Sequence, residues 1–320
     1  MKKVVTTFDS SKIVPNQTVV KRPIIKKDRN TLHYHLMLMP GIILLFLFSI
    51  VPMFGVIIAF KDFNPGLGIF NSEWIGLENF RFLFNLPDFV TISRNTLLIA
   101  VAKIIVNLVV ALCFSLLLNE VRARLFKRSV QTIIYLPHFL SWVILAGIVI
   151  DLLSVDGIIN QILIFFGADP IMFLASTSWF PFIVVVSDVW KEFGFNTIIY
   201  LAALTGISPV LYESAVMDGA TRWQQIRYIT IPALKPTVVL LATLSLGSVL
   251  NAGFDQIFNL YNPIVYETGD IIDTYVYRAG LVNAQFELAT AVGLLKSVIS
   301  FFLIIISYFL ASRFANYRIF

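Results

Sequence analysis

Charged and amide side chains inside apolar runs are the residues of this 320-residue chain best placed to do chemistry. Asp188, Lys191, Glu192 and Asn196 fall at i, i+3, i+4 and i+8, with Trp190 and Phe193 beside them. At 100° per residue the four share one helix face. Asn251, Asp255 and Asn259 fall at i, i+4 and i+8 and predict a narrow polar stripe on another helix. A charge within a bilayer costs roughly 2.5–3.5 kcal/mol on insertion scales and usually faces a bundle interior. Two roles fit the charges equally: lining a path for a polar solute, or locking helices, as Lys191 would with Asp188 or Asp255. Asn251, Asn259 and Trp190 lean toward lining. Lys103 with Asn107, and Lys296, read as structural; His138, Ser141 and Trp142 follow Pro137 on one face and mark either a kink or the path, a lone His there being more often a packing residue.

Bond-making chemistry finds little footing. No nucleophile–base constellation stands out, so no catalytic residue is assigned. Three His and the single Cys113 leave little for a metal centre and exclude an intrachain disulfide framework. None of the 16 Gly is followed by Lys, so the chain has no phosphate-binding loop of the Gly-Lys-Ser/Thr type.

The elements that position these residues are membrane helices. The chain is 58% hydrophobic and 13% charged, against about 25% charged in an ordinary soluble domain. Its mean hydropathy is +0.84. A bilayer core takes roughly 20 apolar residues to cross. Six runs reach that length, 36–60, 96–118, 130–153, 179–204, 237–258 and 291–311, which predicts an all-α integral membrane fold of six spans. The run 158–166 is too short to cross and reads as interfacial or re-entrant. The first run follows a long basic lead with no small-residue cleavage site, and is expected to stay in the mature chain.

Lys and Arg set the orientation. Eight lie before residue 36, four in the second loop, three in the fourth and two in the C-terminal tail, whereas the first, third and fifth loops hold three, none and one. Both termini are therefore expected in the cytoplasm. The same asymmetry accounts for a pI near 9.2 without nucleic acid. Residues 1–35 read as a basic tail, disordered to about Asn30 and held near anionic lipid. Residues 36–320 read as one transmembrane domain.

The loop at about 207–236 is the most informative stretch. Ser208 suits a helix N-cap and Pro209 its first turn. Asp218-Gly219 breaks that helix, since Gly tolerates a positive φ. Thr221 and Gln224 have capping-box spacing, so a second short helix starts at once and is expected to end before Pro232. The result is a helix–turn–helix on the cytoplasmic side, with Glu213, Ser214 and Ala215 forming a small, acid-tipped surface.

This loop resembles the EAA loop of permease subunits of bacterial binding-protein-dependent ABC importers. That pattern is Glu-Ala-Ala, three residues, Gly, nine residues, Ile, one residue, Leu-Pro. Here it reads Glu213-Ser214-Ala215, Gly219, Ile229 and Ile231-Pro232, with Ser214 for Ala and Ile231 for Leu. The segment Ala59-Phe60-Lys61-Asp62-Phe63-Asn64-Pro65, followed by Trp74-Ile75-Gly76-Leu77-Glu78-Asn79-Phe80, resembles MalF-type sugar permeases and more narrowly their LplB/YteP-type branch. Tyr135-Leu136-Pro137 fits the same pattern.

The resemblance implies a MetI/MalF-like permease fold in the bacterial inner membrane, moving oligosaccharides from complex polysaccharides. It implies a coupling helix carrying Glu213, Ser214, Ala215, Asp218 and Gly219, docked on a separate ATPase. The expected partners are a second permease, two ATPase subunits that hold ATP and Mg, and an extracytoplasmic sugar-binding protein. The chain itself would bind no cofactor and catalyse no reaction. In this setting Asp188, Trp190, Glu192, Asn196, Asn251, Asp255 and Asn259 are the candidate sugar path, because amides and carboxylates bind hydroxyls and aromatic rings stack on pyranose faces. The alternatives are an ion-coupled secondary transporter using Asp188, Glu192 and Asp255, which leaves the loop unexplained, or an ABC importer of a non-sugar solute.

Overall fold

A computed structural model describes residues 31–314; residues 1–30 of the basic tail, and Arg318, lie outside the described residues. The chain forms two units, one through Phe54 and one from Gly55 onward. The described part of the first unit is a helical run: α1 (Thr31–Leu45), a π turn (Phe46–Ile50) and one further turn (Val51–Met53).

The second unit opens with a two-stranded clip, β1 (Lys61–Asp62) antiparallel to β2 (Glu73–Trp74). It continues through α2 (Glu78–Asn85), α3 (Pro87–Glu120), α4 (Arg124–Tyr135), α5 (Trp142–Leu153), α6 (Ile158–Phe165) and α7 (Phe180–Thr205). Then come α8 (Pro209–Met217), α9 (Arg222–Leu246), α10 (Phe254–Leu260), α11 (Ile272–Tyr277) and α12 (Phe286–Phe314). Among the described residues, five stretches are long and apolar enough to cross a membrane: His33–Phe60, Pro87–Glu120, Trp142–Phe165, Arg222–Leu246 and Phe286–Leu310. Helix α7, bent by 70° from α8, makes a sixth when the pair is taken as one span.

Two expected spans are redrawn. The run 130–153 is not one helix: α4 ends at Tyr135, a 3-10 turn covers Leu136–Phe139, and α5 restarts with Ser141 as N-cap, its Oγ accepting from Ile144 N–H. Pro137 lies at this break, where its missing donor cannot sustain a helix. The stretch long and apolar enough to cross becomes Trp142–Phe165, within which Ile158–Phe165 is a separate short helix after a break at Ser154–Gly157. The run 237–258 also breaks. Helix α9 begins much earlier, at Arg222, and stops at Leu246; Gly253, at φ 97°, precedes α10.

Pro232 does not end the loop's second helix as expected. A π turn over Ile226–Thr230 comes just before it, with Ile231 N–H donating to Ile226 O. The same arrangement precedes Pro52, where Val51 N–H donates to Phe46 O. A regular helix would press each Pro ring on the carbonyl four residues back; the wider turn relieves that contact, so the helix continues.

Helices α3 and α7 pack along each other and form the spine of the second unit. The main core gathers Ile99 and Ala100 of α3, Ala146 and Val149 of α5, Phe180, Ile183 and Val184 of α7, and Ile257 and Leu260 of α10. Small residues permit close approach, the main lever of helix packing in lipid. A Cβ on Gly194 would sit 2.0 Å from Ile134 O, so α7 and α4 meet backbone to backbone there.

The first-loop motif explains itself as a clip. The Asn79 amide donates to Ala59 O and Lys61 O, both at 3.0 Å. Lys61 Nζ, buried, donates to Phe70 O and Ser72 O. Phe60 stacks on Trp74 at 5.6 Å and tilts against Phe80. These aromatics pack against one another within the loop.

Candidate functional site

The break after α9 faces the α3–α7 spine across a half-open cavity of about 190 Å³ with both polar and apolar lining. Asp188 and Asn196 of α7, Lys103 and Asn107 of α3, and Ser245, Ser248 and Asn251 line it. Lys103 organises this site. Its ammonium lies 3.2 Å from Asp188 Oδ1, donates to Ala252 O at 2.6 Å, and donates to Gln256 Oε1. Gln256 is fully buried and donates to Val184 O and Ser187 Oγ. One Lys and one Gln thus tie the non-helical segment to both spine helices. Gly253 is required there: a Cβ would lie 2.8 Å from Lys103 Nζ, and φ is 97°. Asn196 donates to Asn107 Oδ1 at 2.8 Å across the spine.

The predicted path residues therefore separate. Asp188, Asn196 and Asn251 come together in the cavity. Asn251 lies outside any helix, so it, Asp255 and Asn259 do not form the expected continuous stripe. Asp255 is exposed on α10, and Asn259 donates back to Asp255 O, both outside the cavity lining. Trp190 is 40% exposed and is not among the residues that line it. Lys103 and Asn107 line the cavity but were read from the sequence as structural, and Gln256, which holds Lys103, was not singled out. The i, i+4 pair of Lys103 and Asn107 was the available signal; nothing local marks Gln256.

Lys191 pairs with neither Asp188 nor Asp255. It donates to His138 O at 2.7 Å and Leu140 O at 2.9 Å, with Pro137 O at 3.5 Å. These carbonyls lie at the break between α4 and α5, where helical donors are missing. Glu192 approaches Lys191 at 3.7 Å and meets His138 Nδ1 at 2.8 Å, while His138 stacks on Phe195 at 4.2 Å. This cluster locks the kinked third span to α7. Lys296 likewise pairs with Asp273.

The loop keeps its expected turn. Gly219 has φ 77°, and Ala220 N–H donates to Ala215 O at 2.8 Å, closing the end of α8. Thr221 and Gln224 form a capping box. Ser208 occupies the N-cap position, but its side chain makes no capping bond. Tyr212 Oη meets Thr230 Oγ1 at 2.9 Å, and buried Gln225 donates to Ala220 O, so α8 and the start of α9 form one body. Glu213, Ser214, Asp218 and Gly219 are exposed, and Ala215 is half-buried. Met217 and Trp223 stand out from the same surface at 87% and 67% exposure.

Residues 104–316 match the family model described as binding-protein-dependent transport system inner membrane component. The chain is 44% identical over 297 residues to the polygalacturonan/rhamnogalacturonan transport system permease protein YteP of Bacillus subtilis (strain 168), covering 92% of each chain. It is 40% identical over 291 residues to Protein LplB of the same organism, covering 91% of each. Among solved structures, a chain of a bacterial ABC transporter involved in the import of the acidic polysaccharide alginate superposes with a TM-score of 0.81 at 40% identity, over 89% of this chain and 96% of that one. A second structure of the bacterial alginate ABC transporter, in complex with an alginate pentasaccharide-bound periplasmic protein, superposes equally well at 39% identity.

Proposed function

The chain belongs to the family of binding-protein-dependent transport inner membrane components, an ABC importer permease of the multi-pass inner membrane, and from that premise we propose that it gates a path for oligosaccharides released from complex polysaccharides, uronate-bearing ones foremost. Its relatives' cargoes, polygalacturonan, rhamnogalacturonan and alginate, support that class. The chain performs no bond chemistry. A separate ATPase pair holds ATP and Mg and docks on the α8 surface around Glu213. A second permease completes the path, and an extracytoplasmic binding protein delivers the sugar.

One observation carries the coupling mechanism. Helix α9 runs unbroken from the exposed turn at Gly219 to the break that carries Asn251 into the cavity. A push on α8 is passed through the Tyr212–Thr230 and Gln225–Ala220 bonds into α9, a lever about 1.5 Å long per residue. Its far end moves Asn251 and Ala252, which Lys103 holds against the α3–α7 spine. ATP-driven closure of the ATPases thereby changes which side of the membrane the cavity faces.

The test is reconstitution of the complex in proteoliposomes with its ATPase and binding protein. Oligogalacturonate uptake should require ATP and persist with an uncoupler present. Uptake that survives removal of the ATPase but collapses with the uncoupler would establish an ion-coupled carrier instead.

A further inference from the structure

We propose that a row of aromatic rings on and beside α10 is a stacking track that carries an extended glycan to the Lys103–Asp188 cavity. This rests on the oligosaccharide reading above. Phe254 and Phe258 stack one helical turn apart at 5.2 Å. Phe258 meets Tyr261 at 6.2 Å and Tyr261 meets Tyr266 at 5.1 Å. Tyr277 closes on Phe258 at 4.8 Å and on Phe254 at 5.6 Å.

Placement gives the row a direction. Its inner end, Phe254, follows Gly253, which lines the Lys103–Asp188 cavity. Its middle, Phe254 and Tyr277, borders a shallow, open apolar groove. Its outer end, Tyr266, borders a polar cavity of about 290 Å³ beside Arg278. The Arg278 guanidinium lies 4.4 Å over the Tyr266 ring and pairs with buried Asp270, fixing that end. Tyr261 backs onto the main core. Phe258 is 37% exposed and the other four are half-buried, so the rings keep edges and faces open. Filler in a lipid-facing bundle needs only aliphatic side chains; a series of partly open rings bordering two cavities and a groove suits the apolar faces of sugars.

The test measures oligogalacturonate uptake as a function of chain length in the reconstituted complex. Phe258→Leu keeps an apolar residue on α10 but removes the ring, and Phe258→Tyr keeps the ring. Loss of one stacking contact is expected to raise KM about fivefold for a pentasaccharide, from about 1 kcal/mol. The rise should be less than twofold for a disaccharide, and Phe258→Tyr should restore wild-type values. Tyr277→Leu should show the same dependence on length. Unchanged KM at every length in both Leu variants overturns the track and leaves the importer reading standing. An equal fall at all lengths, matched by loss of assembled complex, also overturns it, since the rings are then packing. Wild-type complex that moves no saccharide of any length overturns both readings.

Discussion

At the scale of single residues, Lys103 holds the site together. Its side chain is 8% exposed and that of Asp188 is 19% exposed, so each is the other's main compensation for leaving water. Removing one partner of such a buried pair typically costs about 3–5 kcal/mol, whereas replacing both by apolar residues costs far less. Lys103→Met should therefore lower the thermal stability of the detergent-purified protein strongly. Lys103→Met combined with Asp188→Leu should recover part of that loss; a double variant at least as unstable as Lys103→Met alone would mean that Lys103 acts through Ala252 and Gln256 only. The cavity makes a second, functional distinction. Asn251→Leu should reduce uptake in an assembled complex, because Asn251 lines the cavity, while Trp190→Ala should leave uptake within about twofold, because Trp190 lies outside it. Initial-rate uptake normalised to assembled complex decides between them.

At the scale of elements, the proposed coupling through the α8–α9 body depends on the aim of one turn. Gly219 at φ 77° has open space around the position of a Cβ, so a substitution there acts through backbone strain and not through a clash. Gly219→Val should re-aim α8 while insertion and pairing of the permeases persist. ATPase docking, substrate-stimulated hydrolysis and uptake should fall together, and Glu213→Lys should act alike by reversing charge at the contact. Full stimulated hydrolysis in both variants would remove this loop from the coupling mechanism. Gly194 is the opposite case. A Cβ at that position meets Ile134 O at 2.0 Å, so Gly194→Val must push α7 off α4. Overpacking of this kind costs about 1–3 kcal/mol or more. The expected outcome is a lower yield of monodisperse protein on size-exclusion chromatography, with the Lys191 clamp on the α4–α5 break disrupted as well.

At the scale of the whole molecule, the order of crossings follows from charge. Reporter fusions at Arg124 and Gln225 should read cytoplasmic, and those at Asn71, Asp169 and Tyr266 external, as the placement of Lys and Arg requires. Asp169 is the most informative site, because it follows the redrawn third crossing Trp142–Phe165. A cytoplasmic signal there would show that this stretch enters and leaves on one side.

Composition and short-range pattern determined the class of this protein. Long apolar runs have one stable solution in lipid, the helix, because every backbone group must be satisfied within the segment. The Glu213–Gly219 turn and the Thr221–Gln224 box were legible for the same reason: caps and positive-φ turns are local, and their residue types reveal them. Pro137 was legible as a kink, because proline breaks a helix locally, but the break after Leu246 was not, since apolar sequence on both sides hides a loss of helix that distant groups repair. Lys191 satisfies carbonyls more than 50 residues away in sequence, and Lys103 and Gln256 hold Ala252 and Val184 across helices. A 3.6-residue periodicity places Asn251, Asp255 and Asn259 on one face only if the helix is continuous. Tertiary packing ended that helix at Leu246, leaving Asn251 in the cavity and Asp255 and Asn259 outside it. Partners for buried polar groups are chosen in three dimensions, and that choice decided which of the charged residues meet.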